Sequence, residues 1–340
     1  MVIVTGGTGY IGSHTCVELI NNGYEVVILD NLSNSEESVL DSIEEISGKR
    51  PRFFNVDIDN TEQLAAVFEE IGSQAESVIH FAAKKAVGES VKEPLLYYRN
   101  NLDSLMNILL EMERFQIPNL VFSSSCTVYG QPDVCPVTET TPRKEAESPY
   151  GNTKSMCEDI IRDTSRVQQL KAISLRYFNP IGAHASAKIG ELPVGIPNNL
   201  VPFVTQTAAG IRSELTIFGD DYDTVDGTCV RDYIHVVDLA KAHLQALRKL
   251  EDDTKKSSYD IFNIGTGKGS SVLEVVNTFK KATGISVNYK IGIRRNGDIT
   301  AVYADTTKAN TELNWKAEIG LEEGLRSSWN WEQNYRRTKT

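Results

Sequence analysis

The stretch from Val2 to Gly12 constrains this chain more than any other: Val-Ile-Val-Thr-Gly-Gly-Thr-Gly-Tyr-Ile-Gly. A β-branched run ends in a tight turn, and a helical pattern opens at Ile11. Gly6, Gly9 and Gly12 are spaced G-x-x-G-x-x-G. Residues without side chains let the backbone approach a pyrophosphate, whose charge then rests on the N-terminus of the following helix. Asp30 closes the next β-branched run, 18 residues beyond Gly12. A carboxylate there accepts hydrogen bonds from ribose hydroxyls and repels a 2′-phosphate, so the turn predicts NAD in preference to NADP. Asp57 and Ile58 end the third such run, where an adenine could rest. A strand-end turn residue explains Asp57 equally well.

Short β-branched runs alternate with helical patterns through the first half. The strand candidates are 2–5, 25–30, 52–56, 77–81, 120–123 and 172–176, with helices over 11–22, 62–71 and 95–115 between them. This rhythm predicts an α/β fold, a Rossmann-type doubly wound parallel sheet with helices on both faces. After Arg176 the rhythm breaks. Residues 177–235 are rich in Gly, Pro and Asn and read as loops with few regular elements, the place for substrate recognition. Residues 236–250 read as helix and 259–264 as strand. The expected division is therefore a dinucleotide-binding domain over 1–176, to which 236–264 contributes, and a smaller mixed α/β substrate-binding domain from 177–235 and 265–340. The tail from Asn330 reads as a frayed helix end.

Composition removes several function classes. A net charge of −11 argues against nucleic acid or an anionic membrane surface as partner. No run of about 18 apolar residues is present to span a bilayer. The five cysteines, Cys16, Cys126, Cys135, Cys157 and Cys229, form no C-x-x-C pair and read as free thiols of a reducing compartment. The histidines are equally scattered, so no metal site is expected. A strand and its turn occupy the first twelve residues where a secretory leader would lie, which with the cysteine pattern predicts a cytoplasmic location.

Tyr150 and Lys154 form Y-x-x-x-K behind Ser148 and Pro149, a helix start that puts both side chains on one face. A tyrosine with an ordinary pKa of about 10 is a poor base at neutral pH. A neighbouring ammonium, or a cationic nicotinamide ring, favours its phenolate. The fifth strand runs directly into Ser123-Ser124-Ser125, so a hydroxyl reaches the C-terminal edge of the sheet, where such folds bind ligands.

These segments together resemble the extended short-chain dehydrogenases/reductases and, within them, the UDP-glucose 4-epimerase family, also called UDP-galactose 4-epimerases. The resemblance runs nearly end to end. It is carried by the glycine turn with Ile-Leu-Asp-Asn-Leu-Ser-Asn-Ser (28–35), Lys-Ala-Val-Gly-Glu-Ser (85–90), Phe-Ser-Ser-Ser-Cys-Thr-Val-Tyr-Gly (122–130) and Arg-Tyr-Phe-Asn-Pro (176–180). It continues in Gly-Ile-Pro-Asn-Asn-Leu (195–200), Gly-Thr-Cys-Val-Arg-Asp-Tyr-Ile-His (227–235) and Arg-Arg-Asn-Gly-Asp (294–298). The triple serine sets the chain apart from the sugar-nucleotide 4,6-dehydratases, which carry an Asp-Glu pair after Thr there.

The resemblance implies an isomerase. Tyr150 would take the 4-hydroxyl proton of a UDP-hexose while carbon 4 gives a hydride to NAD; the 4-keto sugar would turn over while tethered by UDP, and the hydride would return to its other face. Ser125 would hydrogen-bond the 4-hydroxyl, and Lys154 would hold the nicotinamide ribose. Cofactor contacts implied are Tyr10 and Ile11 at the pyrophosphate, and Asn31, Asn34 and Ser35 on the adenosine side. On the nicotinamide side they are Phe81, Ala82, Ala83, Lys85, Asn100, Ser123 and Phe178. Lys84 stands beside Lys85, and alignment favours Lys85 as the cofactor-facing lysine. Asn179, Arg231 and Arg295 would hold the diphosphate, because an arginine fork matches phosphate oxygens. Asn199, Leu200, Thr216, Phe218, Tyr233 and Asp298 resemble the uridine, ribose and sugar contacts. Val302 stands where some relatives carry a tyrosine that limits room for a 2-acetamido group, so UDP-GlcNAc and UDP-GalNAc are further candidate substrates; a core valine without effect on choice is the other reading. Cys126 reads as a small core residue. A homodimer through two helices per subunit is implied, with 95–115 and 149–168 as candidates, including Leu102, Leu105, Met106, Leu109 and Leu110; packing against their own sheet explains many of the same apolar residues. Two alternatives remain open: an epimerase of a UDP-uronate or UDP-pentose, and a non-catalytic NAD sensor.

Overall fold

The computed structural model describes residues 1–193, 195–295 and 298–339. Its strands are β1 (Val2–Thr5), β2 (Val26–Asp30), β3 (Arg52–Asn55), β4 (Ser77–His80), β5 (Asn119–Ser125), β6 (Lys171–Tyr177), β7 (Asn179–Ile181), β8 (Leu215–Phe218), β9 (Val230–His235), β10 (Ser258–Ile264), β11 (Gly269–Ser271), β12 (Tyr289–Gly292) and β13 (Ala301–Val302). Its α-helices are α1 (Tyr10–Asn21), α2 (Val39–Ser47), α3 (Thr61–Ile71), α4 (Val87–Lys92), α5 (Pro94–Arg114), α6 (Pro149–Ser165), α7 (Leu200–Ala208), α8 (Val236–Asp252), α9 (Val272–Thr283), α10 (Thr307–Glu312) and α11 (Leu321–Lys339).

Seven parallel strands form the main sheet in the order β10-β6-β5-β4-β1-β2-β3. The chain reverses direction of progress between β1 and β4, and it is at such a switch point that these folds open a crevice. Both faces of the sheet are covered, so its central strands are buried along their whole length and read as unbroken apolar runs. The period of two still sorts the side chains. Val2 and Val4 pack with Ile28, Ile79 and α8 on one face, while Ile3, Val27 and Val78 pack with α3, α5 and α6 on the other.

Helix starts follow local chemistry. Ser148 Oγ accepts from Gly151 N at 3.2 Å, and Pro149 at the first turn needs no donor, which sets α6. Asn60 caps α3 through Gln63 N at 3.1 Å, and Ser271 caps α9 through Glu274 N at 3.0 Å. By contrast α1 starts at Gly9 with no side-chain cap, leaving first-turn N–H groups for another acceptor.

Two expectations are corrected. Residues 177–235 are more regular than their Gly, Pro and Asn content suggests: they hold β7, α7, β8 and β9, and β7 pairs with β9, itself flanked by β11 and β13. These elements and α9 enclose a second core of Ile181, Val204, Ile217, Tyr233, Phe279 and Leu325. The tail from Asn330 is no frayed end, because α11 continues to Lys339. Trp331 Nε1 donates to the Glu191 carbonyl at 3.0 Å and Asn334 Nδ2 to the Ala187 carbonyl at 2.7 Å, so long-range bonds hold the tail.

Four histidines are interior. Burial pushes His14 and His80 down to about 3, and His235 and His243 down to about 4. All four fold neutral and take up protons on unfolding below their ordinary value of about 6.5. Their contribution is intact above that pH and is lost as pH falls from 6.5 toward 4, by about 1.4 kcal/mol per unit for each. Urea titrations at pH 7 and pH 5.5 are expected to show a loss of several kcal/mol; equal midpoints would show that the histidines are not buried neutral. The turn gives a second expectation. A Cβ on Gly12 would lie 2.2 Å from the Gly6 carbonyl oxygen and 2.8 Å from Gly7 Cα, whereas one on Gly88 meets nothing. Gly12→Ala should lower stability by about 1–3 kcal/mol, while Gly88→Ala leaves the melting midpoint unchanged or raised.

Candidate active site

The site begins at the glycine turn between β1 and α1. Gly6 has φ +69°, and a Cβ there would meet Ala82 N at 2.9 Å, so the turn lies directly against the loop after β4. Gly12 seats α1 against the turn, and the uncapped N-terminus faces outward beside Gly9. Asp30, at the end of β2, accepts from Thr8 N at 3.1 Å and from Leu32 N at 3.0 Å. Each carboxylate oxygen keeps a free lone-pair direction for a ribose hydroxyl. Thr8 Oγ1 and Ser35 Oγ lie 2.7 Å apart, which ties the loop of Asn31 and Asn34 to the turn. Both asparagines are exposed, Asp57 is exposed and Ile58 is buried at 5%. Tyr10 donates to the Gly182 carbonyl at 2.6 Å and so joins the turn to β7. This uncapped helix, its side-chain-free cradle and the Asp30 carboxylate fit a dinucleotide.

Phe81, Ala82 and Ala83 follow β4 and are half-buried. Lys84 N is held by Asn100 Oδ1 at 3.1 Å and Asn101 Oδ1 at 2.8 Å. Asn100 Nδ2 also donates to Asp59 at 2.8 Å. The half-exposed Lys85 side chain reaches Glu191 of the opposite loop at 3.8 Å.

Tyr150 and Lys154 share a face of α6 opposite the end of β5. Lys154 is 3% exposed, and its Nζ donates to the Ser123 carbonyl at 2.7 Å. It lies 4.9 Å from the Phe122 ring centre and 5.9 Å from that of Tyr150. Burial pushes the Tyr150 phenol up to about 12, with a hydrogen bond from Ser125 pulling the other way. Burial also pulls Lys154 down to about 8. Of the two charges expected to favour the phenolate, the Lys154 ammonium, 5.9 Å from the ring, does not by itself outweigh this desolvation. Ser123 Oγ bonds to the Tyr177 hydroxyl, and Ser125 Oγ accepts from Thr127 N at 3.2 Å.

The second wall comes from β7, β9 and the segment before β13. Asn179 pairs with Tyr233 across β7 and β9, and Val302 pairs with Arg231 across β13 and β9. Arg231 forms an ion pair with Asp298. The Arg295 guanidinium lies over the Phe218 ring at 4.1 Å, beside Thr216 on β8. Asn296 and Gly297, from the same sequence motif, lie outside the described residues. Asn199 and Leu200 open α7, and Asn199 Nδ2 donates to Glu191 at 2.6 Å. Tyr233 and Phe178 are buried at 6% and 5%. Cys126 joins the two walls: burial pushes its thiol up to about 12 while Arg231 pulls it down, as befits a packed thiol and not a nucleophile.

Sequence reasoning passed over Asn101, Glu158, Arg176 and Glu191. Glu158 is eight residues beyond Tyr150 on the same helix face, and that spacing was the signal available for it. Asn101 and Glu191 act through contacts with residues far away in the chain, which leave no local pattern.

A family model described as GDP-mannose 4,6 dehydratase matches residues 3–328. A Bacillus subtilis UDP-glucose 4-epimerase is 51% identical over 334 residues, covering 98% of this chain and 97% of its own. A crystal structure of UDP-glucose 4-epimerase from Stenotrophomonas maltophila, with bound NAD and formylated UDP-arabinopyranose, superposes with a TM-score of 0.95 at 47% identity and covers 99% of both chains. The Bifidobacterium longum enzyme in complex with NAD+ and UDP gives 0.93 at 46% identity, covering 98% of each chain. With half of all residues shared end to end, this chain belongs to the UDP-glucose 4-epimerase family of extended short-chain dehydrogenases/reductases.

Proposed function

We propose that this protein is an NAD-dependent epimerase that interconverts UDP-glucose and UDP-galactose through transient oxidation at sugar carbon 4. One observation carries the reading: the Tyr150–Lys154 face of α6 is bonded to the end of β5 that carries Ser125, and only β4 separates β5 from β1 and its glycine turn. A bound nicotinamide supplies a hydride acceptor that is returned to its starting state, and in its oxidised form a positive charge. Tyr150 Oη takes the proton of the sugar 4-hydroxyl and gives it back after the sugar has turned. Its phenol, raised by burial, becomes a base only when such a charge offsets desolvation, which confines proton abstraction to the loaded site. Ser125 directs its hydroxyl at the same oxygen. Lys154, anchored on the Ser123 carbonyl, keeps its ammonium toward the cofactor ribose. Arg231, Arg295 and Asn179 grip the diphosphate, while Asn199, Leu200, Thr216, Phe218, Tyr233 and Asp298 receive the uridine, its ribose and the sugar. In this reading residues 1–176 with 236–264 serve the cofactor, and 177–235 with 265–340 serve the UDP-sugar.

The purified protein should convert UDP-galactose without added NAD, because the cofactor is regenerated in each turnover. Tyr150→Phe should cost about 10²–10⁴-fold in kcat; a near wild-type rate would remove the tyrosine from the mechanism. Absence of turnover with NAD bound and every UDP-sugar supplied would favour a sensor. The pentose nucleotide in the Stenotrophomonas structure favours a second reading, epimerisation of a UDP-pentose or uronate, which NMR of a substrate panel resolves.

Val302 is 2% exposed among Val128, Tyr129, Val137, Phe178 and Ala304. A small side chain there supports acceptance of UDP-GlcNAc and UDP-GalNAc. UDP-GalNAc turnover that Val302→Tyr abolishes while UDP-galactose turnover persists is the expected result; no turnover by the wild type ends the idea.

A homodimer through α5 and α6 completes the proposal. Leu105 and Leu109 are buried against their own sheet, but Met106, Leu110, Val91 and Leu95 are 39%, 61%, 62% and 81% exposed. Sedimentation should give a dimer that Leu110→Asp converts to monomer. Among the described residues no helix is long and apolar enough to cross a membrane, and all five cysteines are free, which supports work in the cytoplasm.

A further inference from the structure

Tyr150, Lys154 and Glu158 follow at four-residue intervals on α6, and the three serines of β5 meet them in turn. The Ser123 carbonyl accepts from Lys154 Nζ at 2.7 Å, Ser124 Oγ donates to Glu158 Oε1 at 2.6 Å, and Ser125 lies near enough to Tyr150 to oppose the effect of burial on its phenol. The outer two contacts belong to the reaction proposed above, and the middle one has no part in it. Ser124 is 0% and Glu158 1% exposed.

Glu158 is itself held rigidly. Arg176 on β6 grips it with both arms, Nε to Oε1 at 2.8 Å and Nη2 to Oε2 at 2.6 Å. The same guanidinium donates through Nη1 to the Tyr129 hydroxyl at 3.0 Å, and Tyr129 donates to Asn263 on β10 at 2.6 Å. Tyr129 ends the short 3-10 turn Cys126–Tyr129 that begins directly after Ser125. The backbone is thus anchored to one buried ion pair on both sides of Ser125, through Ser124 before it and Tyr129 after it.

We propose that Glu158 is the positioning residue of this site: its carboxylate sets the strand that presents Ser125 against the helix that presents Tyr150. The inference rests on the roles of Ser125, Tyr150 and Lys154 given above and deepens them, since Glu158 touches neither sugar nor cofactor.

The test compares two variants of the whole enzyme assayed with UDP-galactose. Ser124→Ala cuts the tie to the strand and leaves every charge in place. It should lower kcat about tenfold or more, with KM and bound NAD little changed and the pH profile unmoved. Glu158→Gln combined with Arg176→Met removes the buried anchor as a neutral pair without orphaning either charge. It should lower kcat to a similar extent, again with KM little changed. Ser124→Ala at the wild-type kcat overturns the positioning role, and this variant decides that role even if the double variant fails to fold. A folded double variant at the wild-type kcat overturns it as well. A wild type that epimerises no UDP-sugar overturns the reading of the site instead, which keeps the two failures apart.

Discussion

The buried pair between Glu158 and Arg176 organises the reactive half of this molecule. It joins α6 to β6, and through Ser124, Tyr129 and Asn263 it reaches β5 and β10. Two charges taken out of water gain little net stability from meeting, and an apolar replacement of the same volume would hold the fold about as well. Removing one partner would still cost about 3–5 kcal/mol, because the other is left charged in the interior. What the pair provides is direction. A bidentate fork fixes one carboxylate in one plane, and the neighbouring strand and helix take their spacing from it.

Glycine does comparable work on the cofactor side by absence. The carbonyl of Gly6 occupies the space that a Cβ on Gly12 would need, so α1 starts close against the turn with its N–H groups open. The two walls of the cleft then meet at a few polar joints. Glu191 receives Lys85 from the loop after β4 and Asn199 from the start of α7, and Tyr10 reaches across to Gly182. The Arg231–Asp298 pair closes the far side. Apolar packing supplies the bulk of each core, and these joints decide how the walls face one another.

Much of the sheet was legible because its signals are local. β1 lies where a β-branched run meets the glycine turn, and β4, β5 and β6 begin and end within two residues of the bounds read from their runs. Residues 177–235 were less legible, since β7, β8 and β9 are short strands whose partners are distant in the chain. The tail misled for a related reason: its polar surface resembles a frayed end, and only its bonds to Glu191 and Ala187 show what orders it. On α5, Leu105 and Leu109 belong to the core while Met106 and Leu110 face outward, a split that the apolar pattern alone left unresolved.

By itself the sequence determined the strand–turn–helix cradle, the acid at the end of β2, and the Tyr150–Lys154 spacing on one helix face. Each depends on steric or periodic rules that act within a few residues. Only the tertiary structure decided that Lys154 is tied to the Ser123 carbonyl, that burial pushes the Tyr150 phenol up within the protein alone, and that Glu158 is bonded to Ser124 on the facing strand. Those outcomes depend on how far water is excluded and on which distant strand lies opposite a helix. Such quantities come into being when the sheet closes over α6, and no window of the chain contains them.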